Sequence, residues 1–153
     1  MITALNVANT ILFAGSKDKI DISPMKLQKL IYILYKEYLK KTNKKLFNDK
    51  FCVWRYGPVI TEVYMAFKEY GSKPITDFYY SDDKIVSVAI NPGTEIYDVF
   101  NRVWRLYKEC DGISLSLMTH KEDTAWFKAK QEHQYVLRDE DILREESYEK
   151  YLN

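Results

Sequence analysis

The longest continuous hydrophobic pattern of the chain lies between Ile22 and Leu39, in the segment ISPMKLQKLIYILYKEYL. Apolar residues recur there at the spacing of one helical face, at Leu27, Leu30, Ile31, Leu34 and Tyr38. A second row widens this face to most of the helix surface, and it consists of Tyr32, Ile33, Tyr35 and Leu39. Ser23 and Pro24 suit the N-cap and the first helical position. The pattern predicts a central helix over about residues 24–41, packed on most sides by other elements.

The polar positions of this helix are expected to face solvent, and they are Lys26, Lys29, Lys36, Glu37, Lys40 and Lys41. Four lysines lie near its end, at Lys40, Lys41, Lys44 and Lys45. They are predicted to complement the negative end of the helix in solvent. Binding of an acidic partner is the alternative interpretation of this lysine cluster.

Helical periodicity predicts four further helices. They cover residues 3–14, a segment that begins at about Val59, a segment that begins at Asn91-Pro92-Gly93, and residues 139–152. Gly15 is expected to end the first helix. Residues 51–54 and 84–90 are rich in β-prone residues, and the turn Gly57-Pro58 is expected to lead from the first of them directly into a helix. The sequence therefore predicts a mainly α protein, a single helical domain over residues 1–153 around the central helix, with a small two- or three-stranded β element.

Composition narrows the class of protein. The net charge is +1, from 23 basic and 22 acidic residues, which argues against a dedicated nucleic-acid binder. No apolar run is long enough to span a bilayer, and the first residues predict an amphipathic helix rather than a signal peptide. Cys52 and Cys110 lie in apolar contexts and are expected to be buried thiols in a reducing compartment. We therefore expect a cytoplasmic protein that does not interact with a membrane.

Catalytic chemistry has few candidates in this chain. A structural zinc site would need closely spaced Cys or His ligands, and neither a CxxC nor an HxxxH motif is present. A dyad of Cys52 and His120 would need a basic neighbour to lower the thiol pKa, and Cys52 has none in its segment. A metal site of His120, Glu122 and Asp123 is the alternative that remains open. The interpretation that we favour is a protein that is not an enzyme and needs no cofactor.

The segment Thr119-His120-Lys121-Glu122 favours a structural explanation. Thr followed three residues later by Glu is the pattern of a capping box, which would start the helix that carries Trp126. His120 would then be the first residue of that helix, with its ring bonded to a nearby carbonyl.

A different kind of site is indicated by Trp54-Arg55-Tyr56-Gly57-Pro58. Trp, Arg and Tyr are the residue types most enriched in the energetic centres of protein interfaces. These five residues are therefore a candidate partner-binding surface. The alternative is that Trp54 fills the core beneath the central helix while Gly57 and Pro58 only make the turn.

Three segments of the chain together resemble a known family. They are MKLQKLIYILYKEYL, WRYGPVITEVYMAFKEYG and LSLMTHKEDTAWFKA. In this order they are similar to the SocA-like, phage-associated family, also called the Panacea domain, over about residues 5–145. Its pattern is a KLQKLLY helix, a W-x-YGPV turn and a THxExxPW stretch.

The motif residues expected to be structural are Lys29, Tyr32, Thr119, His120, Glu122 and Trp126. Ala125 stands where the family has proline, which is expected to matter little because Thr119 and Glu122 cap the helix.

The resemblance implies a mostly helical antitoxin encoded in a toxin–antitoxin operon or a prophage. Its partner would be a cognate toxin that it neutralises by direct binding, and one type in the family acts as an adaptor that delivers its toxin to the ClpXP protease. The resemblance implies no enzymatic activity. Two other functions stay open from the residues: a metal-dependent hydrolase or nuclease centred on His120, and a prophage-encoded nucleic-acid-binding regulator that uses the lysine cluster.

Overall fold

The computed structural model describes residues 1–152, and it is mainly α, as the hydrophobic pattern predicts. Its helices are α1 (Ala4–Asp18), α2 (Pro24–Thr42), α3 (Thr61–Phe67), α4 (Glu95–Tyr107), α5 (Gly112–Thr119), α6 (Ala125–Gln131) and α7 (Asp139–Ile142). Two 3₁₀ turns lie at Lys68–Tyr70 and Tyr148–Tyr151. The strands are β1 (Cys52–Trp54), β2 (Gly57–Val59), β3 (Tyr80–Ser81) and β4 (Lys84–Ile85).

Helix α2 is the centre of the structure, and its prediction from the sequence is confirmed. The Ser23 hydroxyl accepts the backbone N–H of Lys26 at 3.2 Å, and Pro24 occupies the first helical position. Four residues of the predicted apolar row are buried, and they are Leu27, Leu30, Ile31 and Leu34, while Tyr38 is half-buried. Helices α1, α3, α4 and α5 and strand β2 all pack against α2. Because neighbours surround it, little of this helix reaches water.

The same surroundings overturn the expectation of solvent exposure for three lysines of α2, whereas Lys40 and Lys41 are exposed as predicted. Lys26, Lys29 and Lys36 are all buried. The Nζ atom of Lys26 donates to the carbonyl of Lys108, and that of Lys36 donates to the carbonyl of Glu146 at 2.9 Å. A long lysine side chain can thread between packed elements and reach a carbonyl at the end of a neighbour, which the helical spacing alone does not reveal.

Helix α1 is longer than predicted, because Gly15 does not end it. The helix continues to Asp18, and Lys19 takes the left-handed conformation that closes it. Gly15 has a packing role instead: a Cβ at this position would lie 2.6 Å from Cδ1 of Ile22. Glycine here allows the chain that leads into α2 to pass close to α1.

The predicted β element is present as two separate antiparallel hairpins. Strands β1 and β2 pair in the register Cys52↔Val59, Val53↔Pro58 and Trp54↔Gly57. Strands β3 and β4 pair through Tyr80↔Ile85 and Ser81↔Lys84. The first hairpin corrects the expectation that Gly57-Pro58 leads directly into a helix, since these residues form β2 and α3 begins only at Thr61.

Three other boundaries also differ from the prediction. The segment 84–90 is a strand only at Lys84–Ile85. Helix α4 begins at Glu95 behind the N-cap Thr94, rather than at Asn91-Pro92-Gly93. The predicted helix over 139–152 is divided into α7 and the second 3₁₀ turn. The break contains Glu145, whose side chain is buried and accepts a hydrogen bond from the hydroxyl of Tyr32. The local sequence does not show this distant partner.

Both cysteines are half-buried rather than buried, and burial raises the pKa of each thiol.

Across residues 1–152 no helix combines the length and the hydrophobicity that crossing a membrane requires.

Candidate partner-binding site

The β1–β2 hairpin brings the predicted partner-binding residues together at the surface. Its two strands pair up to Trp54 and Gly57, so Arg55 and Tyr56 form the connecting loop. Trp54 is 37% exposed and Tyr56 is 54% exposed, and Arg55 is exposed as well. The alternative that Trp54 fills the core beneath α2 is therefore wrong. Gly57 and Pro58 are buried on the inner side of the hairpin.

Side chains from three helices hold the backbone carbonyls of this hairpin. Trp126 Nε1 of α6 donates to the carbonyl of Trp54 at 2.7 Å. Ser116 Oγ of α5 donates to the carbonyl of Tyr56 at 2.5 Å. Lys29 Nζ of α2 donates to the carbonyl of Pro58 at 2.9 Å. These three bonds tie the hairpin backbone to three different helices, and they hold the loop in one position relative to the helical core.

His120 provides the fourth such bond, from just beyond the end of α5. Its Nε2 lies 3.0 Å from the carbonyl oxygen of Arg55. Because a carbonyl can only accept, Nε2 carries the proton in this arrangement. Burial lowers the pKa of His120, and the imidazole packs edge-on against Trp126 with ring centroids 4.3 Å apart. His120 is thus bonded to a nearby carbonyl, as predicted, although it is not the first residue of a helix.

Gln28 fixes the start of α3 in a similar way. Its side-chain amide donates to the carbonyl of Ile60 at 3.0 Å and accepts the N–H of Ile60 at 3.0 Å. Ile60 precedes the first residue of α3 and has no polar side chain with which to cap it. One buried glutamine of α2 therefore anchors the junction between the hairpin and α3.

Gly57 allows the hairpin to approach the core closely. Its φ of +116° is a conformation that residues with a side chain rarely adopt. A Cβ here would lie 2.5 Å from Oγ1 of Thr119 and 2.9 Å from Cε of Lys29. Both the backbone angle and the available space therefore require glycine.

The predicted capping box at Thr119 and Glu122 is wrong. Thr119 is the last residue of α5, fully buried, and its hydroxyl donates to the carbonyl of Ser116 at 2.7 Å. Helix α6 is capped by Thr124, which accepts the N–H of Phe127 at 3.2 Å. Glu122 is exposed and makes no hydrogen bond or ion pair within residues 1–152. The helix that carries Trp126 therefore begins behind Thr124 rather than behind Thr119.

Lys29 is the least expected member of the site. It is only 1% exposed, and within the described part of the chain no carboxylate pairs with it. Loss of hydration lowers the pKa of its ammonium from 10.5 to about 7. This motif lysine therefore serves as a buried hydrogen-bond donor to the hairpin and is only partly charged at neutral pH.

The buried Lys29 predicts a pH dependence of stability. An unfolded lysine keeps its proton up to about pH 10.5, whereas the folded one releases it near pH 7, so the unfolded state binds more protons between these values. Raising the pH through this window should therefore stabilise wild type relative to Lys29→Met, by roughly 2 kcal/mol from pH 7 to pH 9. Urea denaturation of both proteins at pH 7 and pH 9 measures this difference. A difference that stays constant with pH would contradict a lowered pKa of Lys29 in the folded protein.

Tyr32, another motif residue, belongs to a separate buried network behind the site. Its hydroxyl donates to Glu145, which is 2% exposed and also accepts the hydroxyl of Tyr148 at 2.5 Å. Lys36 Nζ lies 3.5 Å from the same carboxylate. Burial and the neighbouring carboxylate raise the pKa of Tyr32 well above its usual value. The Tyr32 hydroxyl therefore joins α2 to the C-terminal segment.

Ala125 enters this network through its backbone. Its N–H donates to Oε2 of Glu145 at 2.9 Å. A proline, which the family pattern has at this position, lacks that N–H. The expectation that the alanine matters little rested on a cap by Thr119 and Glu122, and that cap does not form. In this chain the alanine supplies one of the bonds that hold Glu145 in the core.

The groups considered for catalysis are not arranged for it. Within residues 1–152, no three His, Cys, Asp or Glu side chains cluster closely enough to hold a metal ion. The Nε2 of His120 is already bonded to Arg55, and Glu122 and Asp123 are exposed. Burial raises the pKa of the Cys52 thiol, which lowers its reactivity.

The lysine cluster at the end of α2 is largely used within the chain. Lys40 and Lys41 lie in the last turn of the helix, as predicted. Lys40 Nζ donates to the carbonyls of Leu143 and Glu145, and Lys41 pairs with Asp98 at 3.4 Å. Lys45 lies 3.8 Å from a carboxylate oxygen of Asp139. Two of the four lysines, Lys41 and Lys45, are therefore paired with carboxylates of the same chain, which reduces the positive charge of the cluster.

Sequence reasoning did not single out Gln28, Ser116 or Glu145. Gln28 and Ser116 lie inside the segments that carry the family resemblance, so that resemblance was the available signal for them. Glu145 lies at the edge of the resemblance, in a charged stretch that looks solvent-exposed. Nothing in its local sequence distinguishes it from its neighbours Arg144 and Glu146.

The fold and the site define a helical scaffold whose motif side chains fix an exposed hairpin. The model of the family described as Antitoxin SocA-like, Panacea domain, matches residues 27–127, more than half of the chain. The chain therefore belongs to this family. Antitoxin SocA of Caulobacter vibrioides (strain NA1000 / CB15N) is 27% identical over 129 residues, covering 82% of this chain and 69% of that protein. No solved structure matches the chain significantly. Family membership supports an antitoxin role, and such a role implies a cognate toxin as the partner.

Proposed function

We propose that this chain is a cytoplasmic antitoxin that neutralises its cognate toxin by direct protein–protein binding, without an enzymatic activity of its own. The observation that carries the proposal is the match to the antitoxin family over residues 27–127. The similarity to Antitoxin SocA over most of the chain supports it. The geometry agrees, because the motif side chains position a surface and do not assemble reactive groups.

The toxin-binding surface of the proposal is the tip of the β1–β2 hairpin. Trp54, Arg55 and Tyr56 are exposed there and have the composition of an interface centre. The side chains of Trp126, His120 and Ser116 hold the carbonyls of all three residues, so little conformational freedom is lost on binding. Gly57 and Pro58 support this surface from the buried side.

Co-expression with the protein encoded by the adjacent open reading frame tests this function. We expect that protein to arrest growth when it is produced alone. We also expect this chain to restore growth and to co-purify with it as a stoichiometric complex. Growth arrest that the chain does not relieve, together with a failure to co-purify, would contradict the antitoxin proposal.

The same experiment separates sequestration from proteolysis. If the chain also acts as an adaptor for a ClpXP-type protease, the toxin level should fall on co-expression, and rescue should be lost in a strain without ClpXP. If binding alone neutralises the toxin, rescue and toxin level should be the same in both strains.

A further inference from the structure

An apolar cavity opens beside the hairpin, between the first half of α2, the β1–β2 hairpin and α3. Its volume is about 400 Å³, within the range of functional ligand pockets. Val59, Val63 and Phe67 are buried residues of its wall, and Trp54 and Tyr64 are exposed residues of its lining. The cavity is therefore continuous with the exposed hairpin tip that we propose as the toxin-binding surface.

The basic side chains that line this cavity have no acidic counterpart there. Lys29 and Arg55 line it, and no Asp or Glu of residues 1–152 does. Arg55 is exposed, and its guanidinium lies 5.4 Å from the ring of Tyr56. Within the described part of the chain, Arg55 forms no ion pair. An arginine held at an apolar opening without a carboxylate is suited to accept one from a partner, in the two-bond geometry that guanidinium favours.

The exposed aromatic residues indicate a protein occupant. Trp54 and Tyr64 pack edge-to-face with ring centroids 4.8 Å apart, yet they are 37% and 41% exposed. Tyr56 adds a third exposed ring at the hairpin tip. A small molecule inside the cavity would leave most of this aromatic surface uncovered. A nucleic acid would need a track of cations along its backbone, and Arg55 is the one exposed cation among the lining residues that the structure describes.

We propose that this cavity receives a large apolar side chain from a segment of the toxin, and that an acidic side chain in the same segment pairs with Arg55. This inference rests on the proposed antitoxin function, and it adds the chemistry of the segment that is recognised. The apolar side chain fills the space between α2 and α3. The acidic side chain remains at the opening, where Arg55 is exposed.

Two variants of the full chain test the two parts of the inference. Val59→Phe places an aromatic ring from the wall into a space that is already empty, so it should block the cavity while preserving the fold. Arg55→Glu reverses the charge at the opening. The matched controls are Val86→Phe and Arg105→Glu, because both residues are exposed and neither lines the cavity. The melting temperature of each variant establishes that it folds.

Binding is measured by calorimetry or interferometry against the full-length product of the adjacent open reading frame, made by cell-free synthesis. We expect each cavity variant to weaken binding at least tenfold and each control to change it less than twofold. Replacement of the paired acidic residue of the toxin by a basic residue should restore binding to the Arg55→Glu variant. If Val59→Phe lowers the melting temperature markedly, Tyr64→Ala replaces it, and the same tenfold loss is expected.

The outcomes distinguish this inference from the proposed function. If the wild type binds and the cavity variants bind within twofold of it, the cavity inference is wrong and the antitoxin function stands. If the wild type does not bind, the antitoxin function fails as well. Binding of a single-stranded RNA 20-mer that Arg55→Glu abolishes would overturn the inference in favour of a nucleic-acid occupant.

Discussion

Glu145→Ala is expected to lower the free energy of unfolding by about 4–6 kcal/mol, because a buried lysine loses the nearer of its carboxylate partners and several buried donors lose their acceptor. Lys36 is fully buried, and its Nζ lies 3.5 Å from the Glu145 carboxylate. The hydroxyls of Tyr32 and Tyr148 and the N–H of Ala125 donate to the same group. Typical domains are stable by about 5–15 kcal/mol, so the variant should lose a large fraction of its stability.

Urea denaturation at pH 7 measures this loss, with Glu146→Ala as the matched control. Glu146 is the next residue, and its side chain is 75% exposed in an ion pair with Lys150. Surface pairs of this kind contribute about 0–1 kcal/mol, so the control should remain near wild-type stability. Similar losses for both variants would mean that Glu145 is not the centre of a buried network.

Gly57→Ala is expected to cost about 2–6 kcal/mol, the sum of backbone strain and overpacking. A residue with a Cβ would have to adopt a φ of +116° at this position. Its Cβ would lie 2.5 Å from Oγ1 of Thr119 and 2.9 Å from Cε of Lys29, both on packed helices. The hairpin would have to move away from the core, and it would then lose the bonds that hold its carbonyls.

Gly93→Ala separates the two causes of this loss. Gly93 also has a positive φ, of 88°, but nothing lies within 4 Å of the Cβ it would gain. It should therefore show only the cost of the backbone angle, about 1–3 kcal/mol. Equal losses for Gly57→Ala and Gly93→Ala in thermal denaturation would show that the close approach to Thr119 and Lys29 contributes nothing.

The central helix could be predicted from the sequence because its information is local. Leu27, Leu30 and Leu34 repeat at helical spacing, and Ser23 and Pro24 mark the start. The fate of the lysines on the same helix could not be predicted in this way. Whether Lys29 is exposed depends on a carbonyl 29 residues away in the sequence, which only the tertiary fold brings near.

The candidate site shows the same division. The residue types in Trp54-Arg55-Tyr56 were sufficient to propose a binding surface, and the structure places all three at the exposed tip of one hairpin. The positioning bonds were not predictable, since Trp126 reaches Trp54 across 72 residues. The capping box failed for a local reason, because Thr124 competes with Thr119 for the start of α6 and is the cap that forms.

Hydrogen–deuterium exchange tests most directly whether the β1–β2 hairpin is the toxin-binding surface. The chain is measured alone and in complex with the full-length product of the adjacent open reading frame. Slower exchange in the complex is predicted for residues 52–59 and for α3, with little change in α4 and α7. Unchanged exchange in the hairpin, with protection confined to a surface away from it, would contradict toxin binding at the β1–β2 hairpin.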